Sequence, residues 1–467
     1  MIARMTAWRV EAPRSSDGLR AATLGLLIRA GVVTWAALRF PPAEDGKYYH
    51  IIAGRIARGL GYTWLWPDGA VTYAAHYPVG YPALVGAVYA LFGARPVWAM
   101  VLNAVLGAAL VAAVHRVAAT EASRAGALLA ALLVALHPGL IFYTPALMTE
   151  GAAAALLAVA AAVAVHRFAQ DARGAACRVG TLGAVFGALT LVRPQSLLLA
   201  PLYALVATPR MLRARAFAAM GTLAVALAVC APWTIRNCTR MQSCVLVSAN
   251  AGFNLFIGAA EGATGAWVSI DRLGVPAACR TVWGEAQKDA CFRSAALDEI
   301  RRSPGRFLAL VPKKLATTFD YAGAAGWYLH ASNGTAFDDT DKIVLGAVET
   351  VWERLVLLLG LAALAGSGPR RKTRLVVLIA SGAALLVRSA WVTHIGICIA
   401  ALLHGRRLLE RPAAALAVAT VLGTALTHAI FFGAGRYSLV CFPALAALAG
   451  TVLTRQYEPR DTGSFKE

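Results

Sequence analysis

An all-α, polytopic membrane bundle of about twelve transmembrane helices is the fold class the sequence predicts, and three observations predict it. The chain of 467 residues is 59% hydrophobic and only 15% charged, with a mean hydropathy of +0.62, too apolar for a water-soluble protein of this length. Many of its apolar runs approach the roughly 20 residues that a helix needs to cross the hydrocarbon. Its arginines gather in short clusters at the ends of those runs rather than in one basic domain. That placement assigns the formal charge of +20 to cytoplasmic anchoring and to contact with anionic membrane lipids, and argues against nucleic acid as a partner. Juxtamembrane helices and a periplasmic loop region complete the predicted architecture.

Taken in order, residues 19–40 form the first span. It is expected to be retained, because it is long and no small-residue cleavage pattern follows it. Arg4, Arg9, Arg14 and Arg20 place its amino end in the cytoplasm. The first outer loop, 41–95, opens on adjacent Glu44 and Asp45. A surface-lying helix follows, in which Ile51, Ile52, Ile56 and Leu60 recur at helical spacing while Lys47, Arg55 and Arg58 fall between them to meet lipid phosphates. Residues 78–93 are apolar but short and read as a half-helix at the interface. Spans then alternate over 96–116, 125–143, 150–167, 179–192, 194–207 and 216–233, with Arg210, Arg213 and Arg215 marking a cytoplasmic turn.

The longest polar segment, 234–342, is placed wholly outside. The last five spans are 343–366, 375–387, 391–404, 412–432 and 437–454, and every arginine-rich turn then falls on one side. Three regions follow: an amino-terminal transmembrane module to residue 233, the outer loop region 234–342, and the carboxy-terminal helices 343–467. No internal repeat suggests an inverted-repeat transporter. Within the outer loop, 307–319 with Lys313 and Lys314 reads as an amphipathic segment at a lipid entry groove.

Of the eight cysteines, Cys238, Cys244, Cys279 and Cys291 share that loop. Three pairings are open to them on an oxidising side, and nearest neighbours are the simplest. No CxxC or histidine-rich spacing indicates a structural metal, and no bound cofactor is expected.

Four polar features meet at the outer face. Glu44 and Asp45 cap the helix that follows them or act in chemistry. Glu150 stands at the head of an Ala/Leu-rich helix and has the same two readings. Arg193, before Pro194, snorkels or binds a phosphate. Arg436-Tyr437 follows Gly433 and Gly435, where the backbone turns tightly. Arg29, mid-helix in the first span, is expected to be ion-paired inside the bundle. Arg388 stands at an outer turn, as anchor or ligand. His76 is placed to hydrogen-bond a substrate, whereas His137 and His428 read as core histidines.

Several stretches together resemble a known family. AEDGKYYHIIAGRIARGLGYT, YAAHYPVGYPALVGAVYALFG, LIFYTPALMTEGAAAALL, GALTLVRPQSLLLAPL, APWTIRNCTRMQSCVLVSANAGFNLFIGAAEGATGAW, SPGRFLALVPKKL and GRYSLVCFPALAALAG are similar to the polyprenyl-phosphate-sugar-dependent glycosyltransferases of the GT-C superfamily. Within it they resemble glycosyltransferase family 39, the dolichyl-phosphate-mannose-protein mannosyltransferase and aminoarabinose transferase relatives. The resemblance implies a GT-C-like bundle in the bacterial inner membrane, with its active site on the periplasmic side.

By that resemblance Asp45 matches the catalytic acid of the first outer loop, Glu150 the second acidic position, and Arg436-Tyr437 a lipid-phosphate contact. A family that often carries a doubled proline has His76-Tyr77-Pro78 here. No large soluble domain follows the last span, so acceptor recognition is expected from the outer loops. The implied reaction moves a sugar from a polyprenyl-phosphate donor to a hydroxyl of a glycan, lipid or protein acceptor by one inverting displacement. Asp45 serves as base, and Glu44, Lys47, Tyr48, His76, Arg193, Arg236, Arg436 and Tyr437 line the substrates. A lipid or lipid-linked-sugar transporter without chemistry is the competing class; it needs the outer arginines but not Asp45.

Overall fold

The computed structural model describes residues 12–169, 171–208, 211–320, 323–366, 369–387 and 389–454; Arg4, Arg9, Arg210 and Arg388 lie outside them. The chain is a bundle of helices with one small hairpin, so the expected all-α polytopic fold is observed. Five helices among the described residues are long and apolar enough to cross a membrane, and the rest of the bundle is built from shorter or broken ones.

The first of these is α1 (Ser15–Ala36). The first loop follows with α2 (Asp45–Ala57), an antiparallel hairpin of β1 (Thr63–Leu65) and β2 (Val71–Tyr73), and α3 (Gly80–Phe92), the expected half-helix. Arg55 departs from expectation. It is buried, and its Nε donates to Thr63 Oγ1 at 2.8 Å. The hairpin folds back over that face of α2, so the guanidinium ties strand to helix instead of meeting lipid.

Next come α4 (Pro96–Ala118), α5 (Arg124–Ala135) and α6 (Pro138–Phe142). The span expected over 125–143 is thus broken at His137. Pro138 has no N–H to continue the ladder, and His137 caps the new helix by accepting from Leu140 N at 3.2 Å. Helices α7 (Thr149–Ala164) and α8 (Ala172–Val192) follow, then a 3-10 turn Pro194–Leu199 leading into α9 (Ala200–Ala207). The long α10 (Leu212–Arg240) extends past the expected end at Trp233 and carries Arg236 and Asn237 beyond it.

Residues 234–342 contain α11 (Ala251–Ala259), α12 (Ile270–Leu273), α13 (Glu285–Arg302), α14 (Pro304–Ala309), α15 (Val311–Phe319) and α16 (Ala324–Ser332). Phe256, Phe292 and Ala296 give α11 and α13 their own small core. Both nearest-neighbour disulfides form, Cys238–Cys244 and Cys279–Cys291. The amphipathic stretch is split between α14 and α15, and Lys314 is fully buried rather than facing a groove. Its Nζ donates to the carbonyls of Ala429 and Ile430 at 3.3 and 3.1 Å.

Those carbonyls close α20 (Pro412–Ile430), which follows α17 (Asp339–Leu364), α18 (Arg371–Leu386) and α19 (Ala390–Leu402). Lys314 therefore compensates the negative end of the α20 dipole. The 3-10 turn Gly435–Val440 leads into α21 (Phe442–Gly450).

Alanine dominates the central core, and small residues let helix backbones approach closely where no water drives association. A Cβ on Gly126 of α5 would collide with the carbonyl of Gly450 on α21. Arg29 is buried and meets carbonyls of Gly25 and Ala135 rather than the expected acid among the described residues. One end of the bundle is laced by Asp17–Arg124 at 2.6 Å and Glu121–Arg411 at 3.6 Å. The other carries the loops. There Ser332 Oγ donates to Pro41 O at 2.6 Å and Asn333 Nδ2 to Arg39 O at 2.9 Å, drawing α16 over the end of α1.

Candidate active site

Asp45 is the first residue of α2, where the helix dipole favours a negative charge. The residue before it, Glu44, holds φ at +49°, a conformation that costs a non-glycine residue on the order of 1–3 kcal/mol. Glu44 is exposed and its side chain makes no capping bond. Gly46, on the other side, is packed so closely that a Cβ would lie 2.8 Å from the Tyr328 hydroxyl. The carboxylate of Asp45 is thus turned inward from a tightly defined bend. Its Oδ1 accepts from the Tyr77 hydroxyl at 3.1 Å and its Oδ2 from Arg436 Nη1 at 3.3 Å. With 31% of its side chain accessible, it remains open to an incoming molecule.

Glu150 lies in the first turn of α7 and is completely enclosed. Its Oε1 meets Arg193 Nη2 at 2.8 Å and Arg436 Nε at 3.4 Å, and its Oε2 accepts from the Tyr143 hydroxyl at 3.0 Å. Arg436 therefore bridges the two acids. Two carboxylates and two guanidiniums cancel in charge, which makes the cluster tolerable at this depth. Both arginines lie over the Tyr437 ring, at 5.1 Å for Arg193 and 5.3 Å for Arg436. His428 stacks on the same ring at 4.1 Å and 13°. Behind Arg193 lies a small cavity of about 30 Å³ lined by Gln195, Ser196, Thr424, Thr427 and His428.

The structure brings together Asp45, Glu150, Arg193, Arg436 and Tyr437, from four separate parts of the chain. Tyr48 is exposed beside them, its ring 5.5 Å from that of Tyr77 and nearly parallel to it. Lys47 is exposed on the next turn face. His76 turns its ring edge to Tyr77 and Phe253, at 4.8 and 5.7 Å. Desolvation pushes its imidazole below the usual histidine range. The Tyr77 phenol is pushed well above the usual range by burial and by the Asp45 charge, so it stays a donor.

Arg236 stands apart from this group. Its terminal nitrogens donate to Ala74 O at 2.7 Å, Asn237 Oδ1 at 3.0 Å and Tyr62 O at 2.8 Å, and its plane lies over Trp233 at 4.6 Å. Those contacts clamp the first loop to α10.

Four residues of the site were given no role from the sequence. Tyr77, Tyr143 and Tyr328 supply hydroxyls. The fourth, Glu285, accepts from Trp64 Nε1 at 2.5 Å and from the N–H groups of Ala75 and His76 at 2.5 and 2.8 Å. Tyr77 was signalled by its place in the segment that departs from the doubled-proline pattern. Tyr328 and Glu285 lie far along the chain with no local signature. Among the described residues no three of His, Cys, Asp and Glu converge as a metal-ligand set.

Comparison with known proteins gives two results at the level of sequence. No curated protein matches the chain. A family model does match, that of dolichyl-phosphate-mannose-protein mannosyltransferase, over residues 76–235. Among solved structures, the Archaeoglobus fulgidus oligosaccharyltransferase in the apo form has a TM-score of 0.48 at 13% identity, covering 96% of this chain and 50% of that one. The same enzyme tethered to an acceptor peptide gives 0.46 at 14%, covering 93% and 49%. The chain spans about half the length of that archaeal protein. ArnT from Cupriavidus metallidurans in the apo state gives 0.39 at 14%, covering 92% and 77%. The segment from residue 76 to 235, which holds His76, Tyr77, Glu150 and Arg193, carries the pattern of the dolichyl-phosphate-mannose-protein mannosyltransferase family, the family its motifs resemble.

Proposed function

We propose that this chain is an integral membrane glycosyltransferase that moves a hexosyl or pentosyl group from a polyprenyl-phosphate sugar to an acceptor hydroxyl at the outer face of the bacterial inner membrane. The observation that carries the reading is Arg436 bridging Asp45 and Glu150 at 3.3 and 3.4 Å, with Asp45 alone of the two acids open to solvent.

In the reaction the acceptor oxygen attacks the anomeric carbon from the face opposite the phosphate. A carbon–oxygen bond forms as the bond to the phosphate oxygen breaks, and configuration inverts. The acceptor's proton passes to Asp45, and the bonding pair leaves on the lipid phosphate, which gains one negative charge. At that moment Asp45 becomes neutral and Arg436 loses one of its two partners. Its guanidinium is then free to meet the new phosphate charge without any net charge being added to the site. Glu150 stays ionised between Arg193 and Arg436, and so acts as the fixed anchor of both arginines.

Proteoliposomes loaded with radiolabelled polyprenyl-phosphate sugars test this. Wild type should transfer label to an acceptor, and Asp45→Asn should transfer about 10²–10⁴-fold more slowly, the range for loss of a general base. Transfer by Asp45→Asn at the wild-type rate refutes the base. Lipid-linked sugar crossing the bilayer without any transfer supports the transporter instead.

A further inference from the structure

A hollow of about 510 Å³ lies within residues 234–342, lined by Thr264, Trp267, Ser269, Arg272 and Leu273. It borders the site. Gly433, three residues before Arg436, donates its N–H to Gly265 O at 2.8 Å, and Ala266 pairs with Gly433 as an isolated bridge. Its wall residue Leu273 packs on the cluster of Ile257, Phe432 and Tyr437, together with Phe253. Phe253 in turn touches the His76 ring, which touches Tyr77, the donor to Asp45. Phe253, His76 and Tyr77 thus link the wall of the hollow in series to the reacting carboxylate.

Its lining has a definite chemistry. Trp267 shows 58% of its surface, far more than an indole placed only for packing. Arg272 is exposed, and its guanidinium has no hydrogen-bond or ion-pair partner among the described residues. The neighbouring Asp271 carboxylate is engaged instead by Ser269 Oγ at 3.4 Å. Thr264 and Ser269 add hydroxyls. An indole face takes the C–H face of a sugar ring, and an unpaired guanidinium takes a carboxylate or phosphate.

We propose that this hollow seats the acceptor, and that the acceptor is a saccharide bearing a negative charge, its ring on Trp267 and its anionic group on Arg272. Its role as acceptor site rests on the transferase reading above; its ligand chemistry does not.

The test is equilibrium binding by calorimetry to the purified full chain in nanodiscs. The probes are a uronic-acid tetrasaccharide, a neutral glucose tetrasaccharide and inorganic phosphate. Wild type should bind the acidic tetrasaccharide at least tenfold more tightly than the neutral one. Trp267→Ala should weaken both, Trp267→Phe should restore part of the loss, and Arg272→Gln should weaken only the acidic one, to the neutral level. All variants are checked by thermal melting, which substitutions at these exposed positions should leave unchanged. Absence of acidic-tetrasaccharide binding by wild type, equal binding of the acidic and neutral probes, or binding unaltered in both variants overturns the proposal. Inorganic phosphate bound as tightly as the acidic tetrasaccharide likewise overturns it, since the ring then contributes nothing. Binding with the expected dependence but no transfer from any lipid-linked sugar would sink the transferase and leave the saccharide site standing. Transfer that is indifferent to Trp267→Ala and Arg272→Gln would do the reverse.

Discussion

Replacing Arg436 by lysine separates a bridging guanidinium from a mere positive charge. Arginine reaches Asp45 through Nη1 and Glu150 through Nε, 3.3 and 3.4 Å away, while lying over Tyr437. A lysine donates from a single nitrogen and lacks the planar fork, so it does not reproduce both contacts at the spacing of Nη1 and Nε. A hydrogen bond to a charged group contributes about 1.5–3 kcal/mol, so losing one contact should lower kcat about 10- to 150-fold at 1.36 kcal/mol per decade. The donor KM should change little, because the phosphate contact strengthens only as the leaving charge grows. The assay is transfer in proteoliposomes at several donor concentrations, with Arg436→Lys, Asp45→Asn and the double variant side by side. If proton uptake by Asp45 is what releases Arg436, the double variant should be no slower than the slower single one. Rates that fall by the product of the two single effects would refute the charge hand-over.

Glu285→Ala should free the first loop. It leaves Trp64 Nε1 and the N–H groups of Ala75 and His76 without their shared acceptor, a local loss of about 2–4 kcal/mol, read as faster proteolysis between the hairpin and α3. Burial pushes the Lys314 amine down to about 8 from its ordinary 10.5. The unfolded chain therefore holds more protons between those values, and folded stability rises with pH across that window. The melting temperature of wild type should move upward relative to Lys314→Met from about pH 8 toward 10, and a difference that is constant with pH would refute a buried amine there. In intact cells an impermeant maleimide should label Cys238, Cys244, Cys279 and Cys291 only after reduction, since they are paired. Cys177, exposed and unpaired, should react only after the membrane is opened; labelling of Cys177 in intact cells would invert the topology.

Apolar run length and arginine placement made the bundle legible, because the bilayer imposes both. The helix breaks were harder to read. His137-Pro138 shows a proline, but not that the histidine would cap the helix after it, and α10 runs past Trp233 because the segment around Val245 and Val247 returns to satisfy Asn237 and Trp233. In the site, Asp45, Glu150, Arg193 and Arg436 were visible as charges beside apolar runs, where charge is costly. What sequence could not show was their pairing. Arg55, Arg236 and Lys314 look in sequence like surface cations, yet each lies against backbone or side-chain oxygens of a segment that folds back over it. Such oxygens exist at every position, so no spacing announces them.

The Tyr328 hydroxyl accepts from Ala43 N at 3.2 Å and from Leu147 N at 3.3 Å. One oxygen atom on α16 is thereby the common reference point for the segments leading into Asp45 and into Glu150. The gap between the two acids is gauged by a third party rather than by either helix. Loss of this single phenol would blur both acids at once.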